Sequence, residues 1–255
     1  MNVNFDKTSG ILKVTNEYSN WGIYQAAYDV INDGLLKMNT AGNEFGPYLL
    51  YNQNSGYTNA DFLLLYATDV SGNFEINYTF NTDSTGFSDS KPVKFLNTEF
   101  NDLYPTFNAD FSKLYFCSDR ENGKFNIYYV NSDNTTNEKI KELADTTSRE
   151  VFKDIIISGD YDDKCPYIFN NLLIFTSNRP GGFGGFDLYY SRFENGNWTA
   201  PVNFGSRINT EYDEYRPILF EEEVDNERDM MVFSSNRPGG KGGFDLYFVG
   251  VKKNL

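Results

Sequence analysis

The stretch Thr176-Ser177-Asn178-Arg179-Pro180-Gly181-Gly182-Phe183-Gly184-Gly185-Phe186-Asp187-Leu188-Tyr189 decides how this sequence is read. It returns 58 residues later, from Ser234 to Tyr247, with changes at two positions. A third copy runs from Cys117-Ser118-Asp119-Arg120 through a shorter Gly-containing loop to Phe125-Asn126-Ile127-Tyr128. A fourth joins Ala67-Thr68-Asp69 to Phe74-Glu75-Ile76-Asn77, and the weakest joins Thr15-Asn16-Glu17 to Trp21-Gly22-Ile23-Tyr24. The aromatic anchors Trp21, Phe74, Phe125, Phe186 and Phe244 are therefore spaced by 53, 51, 61 and 58 residues. Self-similarity at a period of this size is the mark of a repeat architecture.

A second marker keeps the same period. Asn39-Thr40, Asn97-Thr98 and Asn209-Thr210 each start eight residues before a proline, at Pro47, Pro105 and Pro217, and Ser158-Gly159 leads Pro166 likewise. Each proline has a carboxylate three residues before it: Glu44, Asp102, Asp163 and Glu214. After the proline comes a short apolar stretch, a turn, and a run too apolar to alternate, such as Leu114–Phe116 or Leu172–Phe175, which reads as a strand covered on both faces. The Phe-Asp-Leu-Tyr strand follows, then a weaker one at Pro92–Phe95 or Pro201–Phe204. Four strands per unit, repeated around a ring, describe an all-β fold: a five-bladed β-propeller of four-stranded antiparallel blades. Stacking about an axis covers both apolar faces of every blade, which no blade achieves alone. Two β-sandwich domains would not produce five equal units. The chain 1–255 reads as one domain with blades at about 1–42, 43–100, 101–160, 161–212 and 213–255. The last unit stops soon after its third strand, so that blade has three strands or the sequence belongs to a longer chain. Residues 136–144, in the longest insertion, are expected to form a turn or two of helix.

Composition narrows the function. With 17% aromatic residues the chain folds in spite of its polarity. A net charge of -14 repels phosphate backbones and anionic lipid, so nucleic acid is excluded as a partner, and no apolar run is long enough to insert directly in a membrane. The absence of histidine removes the commonest general base and the Ser-His and Cys-His nucleophile pairs, leaving carboxylate, Tyr, Lys or Ser chemistry. The first fifteen residues lack the pattern of an export signal. Cys117 and Cys165 are expected near one face of adjacent blades, either as buried thiols or as a disulfide.

The Pro-Gly-Gly-x-Gly-Gly loops lead into strands, not helices, so they read as tight hairpins and not as phosphate cradles. Asp187 and Asp245 are expected to fix these hairpins by accepting bonds from the turn and pairing with Arg179 and Arg237. Glu44, Asp102, Asp163 and Glu214 occupy equivalent positions, so closure gathers them on one face near the channel entrance. There they either cap their own loops or, with Tyr104, Tyr215 and Arg216, form a ligand site; a carboxylate pair would also serve glycoside hydrolysis. Asp160, Asp162 and Asp163 form the densest acidic cluster and resemble half a calcium loop without its glycine or terminal Glu, which makes Ca²⁺ the one cofactor candidate in a chain expected to need none.

The segment Ser177 to Thr210 resembles the TolB-type, WD-repeat-like propeller repeat, carried by Ser177–Ser191, then Asn197-Trp198-Thr199-Ala200-Pro201-Val202-Asn203-Phe204-Gly205, then Ile208-Asn209-Thr210. It is similar to the version in cell-envelope proteins of the Bacteroidetes, often fused to OmpA-type peptidoglycan-binding domains and sometimes linked to type IX secretion. The match is specific over units three to five and loose over residues 1–90. The resemblance implies a periplasmic or outer-membrane-associated propeller used for binding; the chain is expected to be a monomer that takes a protein or glycan partner, with a non-enzymatic role favoured and a glycan-active hydrolase as the alternative. The OmpA-type domain, helical-repeat domain and lipoprotein signal of such proteins have no counterpart in these 255 residues.

Overall fold

The computed structural model describes residues 2–6, 11–15, 38–52, 61–81, 87–132, 139–221, 227–253 and 255, with the backbone alone at 2–6, 11–15, 51, 52, 61 and 81. Strands β1 (Asn2–Asp6) and β2 (Ile11–Thr15) form an antiparallel hairpin with Val3 opposite Val14. Four antiparallel sheets follow in a propeller arrangement. The first has the order β3 (Glu44–Asn52), β4 (Asp61–Thr68), β5 (Glu75–Asn81), β6 (Lys91–Pro92). The second has β7 (Asp102–Phe107), β8 (Lys113–Glu121), β9 (Lys124–Asn131), β10 (Phe152–Lys153), with the short helix α1 (Lys139–Ala144) between its last two strands. In the third, β11 (Asp163–Phe169), β12 (Leu172–Ser177) and β13 (Asp187–Glu194) are followed by β14 (Asn197–Trp198) and β15 (Val202–Asn203), both paired with β13. The fourth has three strands, β16 (Glu214–Phe220), β17 (Arg228–Ser235) and β18 (Asp245–Lys252). Four blades are thus described. Trp21 and most of the first unit lie outside the described residues.

The first strands of the blades pack in series, β3 on β7, β7 on β11 and β11 on β16. In the first three described blades the apolar second strands bury both faces as their composition requires, with Leu65, Phe116 and Phe175 at 0% exposure, while β17 of the fourth buries one face. Burial is concentrated between blades. Leu65, Ile76, Phe107 and Phe116 fill the first joint, Ile127, Leu173, Phe175 and Trp198 the second, and Ile174, Leu188, Leu219 and Phe233 the third. Polar bonds add direction to these joints. The Asn97 side chain accepts from the Ile76 N–H and donates to its carbonyl, closing a peptide-like pair between the third strand of one blade and the entry to the next. Asn209 treats Leu188 in the same way, and the Ser158 hydroxyl accepts from and donates to Ile127. This is the physical role of the Asn-Thr marker's first residue.

The fourth strands are shorter than the sequence suggests, two residues each. The reason is local: the Val93 N–H still bonds the Ile76 carbonyl in register, but the Ile76 N–H is taken by Asn97 and the Val93 carbonyl by the N–H groups of Leu96 and Asn97, so the chain turns there.

In each of the four described blades the first strand also carries a bulge at its proline. The register slips between Phe45 and Tyr48, Leu103 and Thr106, Lys164 and Tyr167, and Tyr215 and Ile218. The residue before the proline takes a left-handed φ each time: Gly46 at 60°, Tyr104 at 55°, Cys165 at 53° and Arg216 at 53°. Left-handed backbone is uncommon outside glycine, and a bulge re-aims the side chain it carries.

Candidate functional site: an aromatic cavity between the blades

The recurring carboxylates are structural in their contacts. Asp102, Asp163 and Glu214 are at 0% exposure. Asp102 accepts from the Thr98 N–H and hydroxyl, both at 2.8 Å, and from the Arg120 guanidinium at 2.6 Å. Glu214 accepts from the Thr210 N–H and hydroxyl at 3.0 and 2.6 Å, from Ser235 at 3.1 Å and from Arg237 at 2.9 Å. The same arginines each donate to a carbonyl of the preceding connection, Leu96, Ile157 or Ile208, at 2.7 Å. Each lies over two rings of its own blade, Arg120 over Phe116 and Tyr128, Arg179 over Phe175 and Tyr189, and Arg237 over Phe233 and Tyr247. Charge, hydrogen bonds and ring faces thus satisfy a cation and an anion in one staple.

Two departures follow sequence changes. Asp163 lacks the threonine and takes the Gly159 N–H at 3.1 Å with Arg179 at 2.7 Å. Its carboxyl titrates above the ordinary range, because burial outweighs the Arg179 charge and the bonds from Ser177 and Gly159. In the first described blade Val70 stands where the others have arginine, and Glu44 is held by the Thr40 N–H and hydroxyl at 2.9 and 2.6 Å.

The hairpin reading needs one correction. Asp187 accepts from the Phe183 and Gly184 N–H groups at 2.6 and 3.1 Å, and Asp245 from those of Lys241 and Gly242 at 2.8 and 3.1 Å. The turn bonds expected of them are made, but Arg179 and Arg237 pair with Asp163 and Glu214 instead. The guanidinium lies nearer the first strand because its Nε is tethered to Ser177 or Ser235 on the second. Gly182 is needed here: a Cβ would stand 2.5 Å from an Asp187 oxygen.

With the carboxylates folded into their blades, the open site is a cavity of about 560 Å³ bordered by β3, β7, β11 and β16. Rings dominate its wall: Phe45, Phe74, Tyr104, Phe125, Tyr215 and Phe244. Three of the recurring anchors are among them. Phe45 and Phe74 lie 5.3 Å apart between centroids, and Tyr215 and Phe244 5.6 Å. Two cations share the cavity. Lys164 Nζ lies 4.6 Å from the Phe125 centroid and 4.9 Å from that of Phe186, with Asp162 at 3.9 Å. Arg216 stacks its guanidinium 4.2 Å from the Phe45 centroid and donates from Nε to the Tyr104 hydroxyl at 3.0 Å. Among the described residues the cavity wall has one carboxylate, Asp213, whose oxygens already accept from the Phe186 N–H and the Asn236 amide. Burial pushes the hydroxyls of Tyr104 and Tyr215 well up, so both stay neutral donors across the physiological range.

The structure therefore gathers Tyr104, Tyr215 and Arg216 from the expected ligand set and separates them from Glu44, Asp102, Asp163 and Glu214. The first strand's alternation explains the division. The carboxylate at its start faces its own blade's loop, the next residue points the other way into the cavity, and the left-handed φ of the one after it keeps that side chain on the cavity side as well. The signal for the missed members was present: the pre-proline residue of each unit, and Lys164 immediately before Cys165.

Asp160, Asp162 and Asp163 diverge. Asp162 accepts from the Phe125 N–H and Asn178, Asp163 belongs to its staple, and Asp160 offers its carbonyl to Lys124. Among the described residues no group of three His, Cys, Asp or Glu side chains is arranged to hold a metal ion. Cys117 and Cys165 are both buried as free thiols, not a disulfide, and burial pushes the Cys165 thiol up to about 11.

No protein-family model matches the chain, and no curated protein matches it. Solved structures similar to it include the catalytic domain of the GH62 α-L-arabinofuranosidase of Coprinopsis cinerea, at 14% identity over 81% of this chain and 63% of that one, with a TM-score of 0.48. They also include GH43B of the Bacteroides ovatus xyloglucan PUL, at 16% identity over 83% and 40%, with a TM-score of 0.47. TolB of Acinetobacter baumannii is similar at 17% identity over 97% and 62%, with a TM-score of 0.37. This chain spans less than two thirds of each of those chains. The likeness concerns the fold, and it says nothing of which chemistry this chain performs. Among the described residues no helix is long and apolar enough to cross a membrane.

Proposed function

We propose that this chain is a non-enzymatic binding propeller of the bacterial cell envelope, with five blades, which takes a protein or glycan partner at the mouth of its aromatic cavity. The observation that carries the binding reading is the state of the carboxylates. Glycoside hydrolysis needs two carboxyls about 5 to 10 Å apart with oxygens available to substrate. The equivalent acids Asp102, Asp163 and Glu214 are buried with arginines, and Asp213 is engaged through both oxygens. The cavity offers rings and cations instead, which suit recognition by stacking and charge.

Five blades are supported by the face that the fourth described blade leaves open. Its other side packs on the third blade through Leu219, Met231 and Phe233. The open side presents Ile218, Phe220, Met230, Leu246 and Phe248, the last two at 76% and 78% exposure. Apolar surface of this kind is covered in a closed ring, and the N-terminal repeat unit of the sequence is the fifth copy that would cover it. The envelope location, periplasmic or outer-membrane-associated, rests on the resemblance of the 177–210 repeat to envelope propellers of the Bacteroidetes.

The test is a thermal-shift and calorimetric panel of muropeptides, cellotriose, trigalacturonate and short peptides, with product analysis of every hit. A ligand at a hundred times its dissociation constant stabilises by about 2.7 kcal/mol. A stabilising probe recovered intact supports the proposal. New reducing ends contradict it, as does a panel with no response.

A further inference from the structure

We propose that the cavity recognises a free C-terminal carboxylate of a peptide whose last side chain is apolar, with Arg216 gripping the carboxylate and the rings holding the side chain. This deepens the binding reading above and rests on it.

Arg216 is placed for the task by the backbone. The bulge at Pro217 gives it a left-handed φ of 53° and turns it to the axis, where it lines the cavity. Its Nε is committed to the Tyr104 hydroxyl and its flat face to Phe45, which fixes the plane of the fork. No ion pair among the described residues includes it, and its two terminal nitrogens have no acceptor there. A planar carboxylate bound bidentately is the partner that such a fork matches. Lys164 adds a second positive charge to the same wall.

The charge balance selects the size of the anion. The chain as a whole carries -14, so a polyanion is repelled before it arrives, whereas a single carboxylate meets two cations and the one engaged acid Asp213. The remaining wall selects the body. A sugar ring presents hydroxyls on every side, each needing a partner, but the one carboxylate and the one side-chain amide of the wall, which would accept from them, are already engaged. Asn101 is bonded to Phe74 and Asp119, and Asp213 to Phe186 and Asn236. Phe45, Phe74, Phe125 and Phe244 give an aromatic or aliphatic side chain contact without that demand. The cavity's roughly 560 Å³ accommodates one such residue and part of the next.

The test is calorimetry on the full chain with N-acetyl-Gly-Gly-Phe and N-acetyl-Gly-Gly-Leu, each as free acid and as C-terminal amide, beside trigalacturonate and cellotriose. The expected result is binding of the acids, at least about tenfold weaker binding of the amides, and collapse of that difference in Arg216→Gln, with Arg216→Lys intermediate. Equal binding of acid and amide, or an acid–amide difference that survives in Arg216→Gln, overturns the inference. Binding of trigalacturonate or cellotriose without the peptides also overturns it but leaves the cavity as a binding site. No binding by any probe removes both readings together.

Discussion

Arg216 donates a 3.0 Å hydrogen bond to the Tyr104 hydroxyl across 112 residues of sequence, and both residues occupy the same place in their blades, directly before a proline. Gly46 is the equivalent residue of the preceding blade, and it stands aside for this pair. A Cβ there would lie 2.5 Å from Tyr104 Cδ1 and 3.1 Å from its Cα. The three positions form one device, in which the smallest residue makes room for the ring that orients the cation. Gly46→Ala is expected to destabilise by about 1 to 3 kcal/mol, from overpacking added to a φ of 60° that alanine resists. It should also weaken any cavity ligand. Chemical denaturation with ligand titration checks both; an unchanged midpoint would place the Tyr104 ring elsewhere.

Removing an arginine from a staple leaves a buried carboxylate without its counter-charge. Arg120→Met and Arg237→Met are each expected to cost about 3 kcal/mol or more in urea unfolding, since Asp102 and Glu214 have 0% exposure. The double substitution Asp102→Leu with Arg120→Met should recover much of that loss. Equal stability of the single variants and the wild type would show that the staples are ornamental.

Asp163 gives the chain a pH dependence of known sign. Its carboxyl has a folded pKa above its ordinary value of 3.8, so the native state holds the proton more tightly than the unfolded chain. Stability from this group is complete below 3.8 and is lost as pH rises through the raised folded value. Gly159→Thr restores the hydroxyl that Thr98 and Thr210 supply to Asp102 and Glu214, with only the exposed Tyr161 ring 3.3 Å from the new Cβ. The variant is expected to gain about 1 kcal/mol at neutral pH and to flatten this part of the pH profile. A gain that is constant from pH 3 to 7 would refute the assignment to Asp163.

The open face of the last blade tests the blade count. If the N-terminal unit covers it, Phe248→Ser removes a buried ring and costs about 2 kcal/mol or more; if the face is bare, the change is near neutral. Urea midpoints of this variant and of Leu246→Ser separate the two cases.

Thiol chemistry should be slow. Cys117 is at 0% exposure and Cys165 at 4%, and burial pushes Cys165 up to about 11. At pH 8 a disulfide reagent is expected to modify neither until the chain unfolds, after which both react together. Rapid modification of one thiol in the folded protein would contradict this burial.

Much of the fold was legible because the repeat advertises itself twice, in the Phe-Asp-Leu-Tyr strands and in the Asn-Thr to Pro spacing. The carboxylates were legible as a set but not in direction. Spacing shows that Asp102, Asp163 and Glu214 are equivalent, while the partner of each arginine depends on a tether such as Arg179 Nε on Ser177, which no spacing displays. The cavity was half legible. Tyr104, Tyr215 and Arg216 stand out by type, but the bulge that aims Tyr104 and Arg216 is a backbone event, and a left-handed residue before proline is a conformation that local preferences disfavour. Phe74, Phe125 and Phe244 anchor the repeat, and they also line the cavity.

The central claim is that residues far apart in the chain meet at one axis. A double-mutant cycle on Tyr104→Phe and Arg216→Gln measures it most directly. Unfolding free energies are predicted to show a favourable coupling of about 0.5 to 1 kcal/mol between the two side chains. Strict additivity of the two substitutions would mean that Tyr104 and Arg216 do not meet, and the shared cavity would fall with that contact.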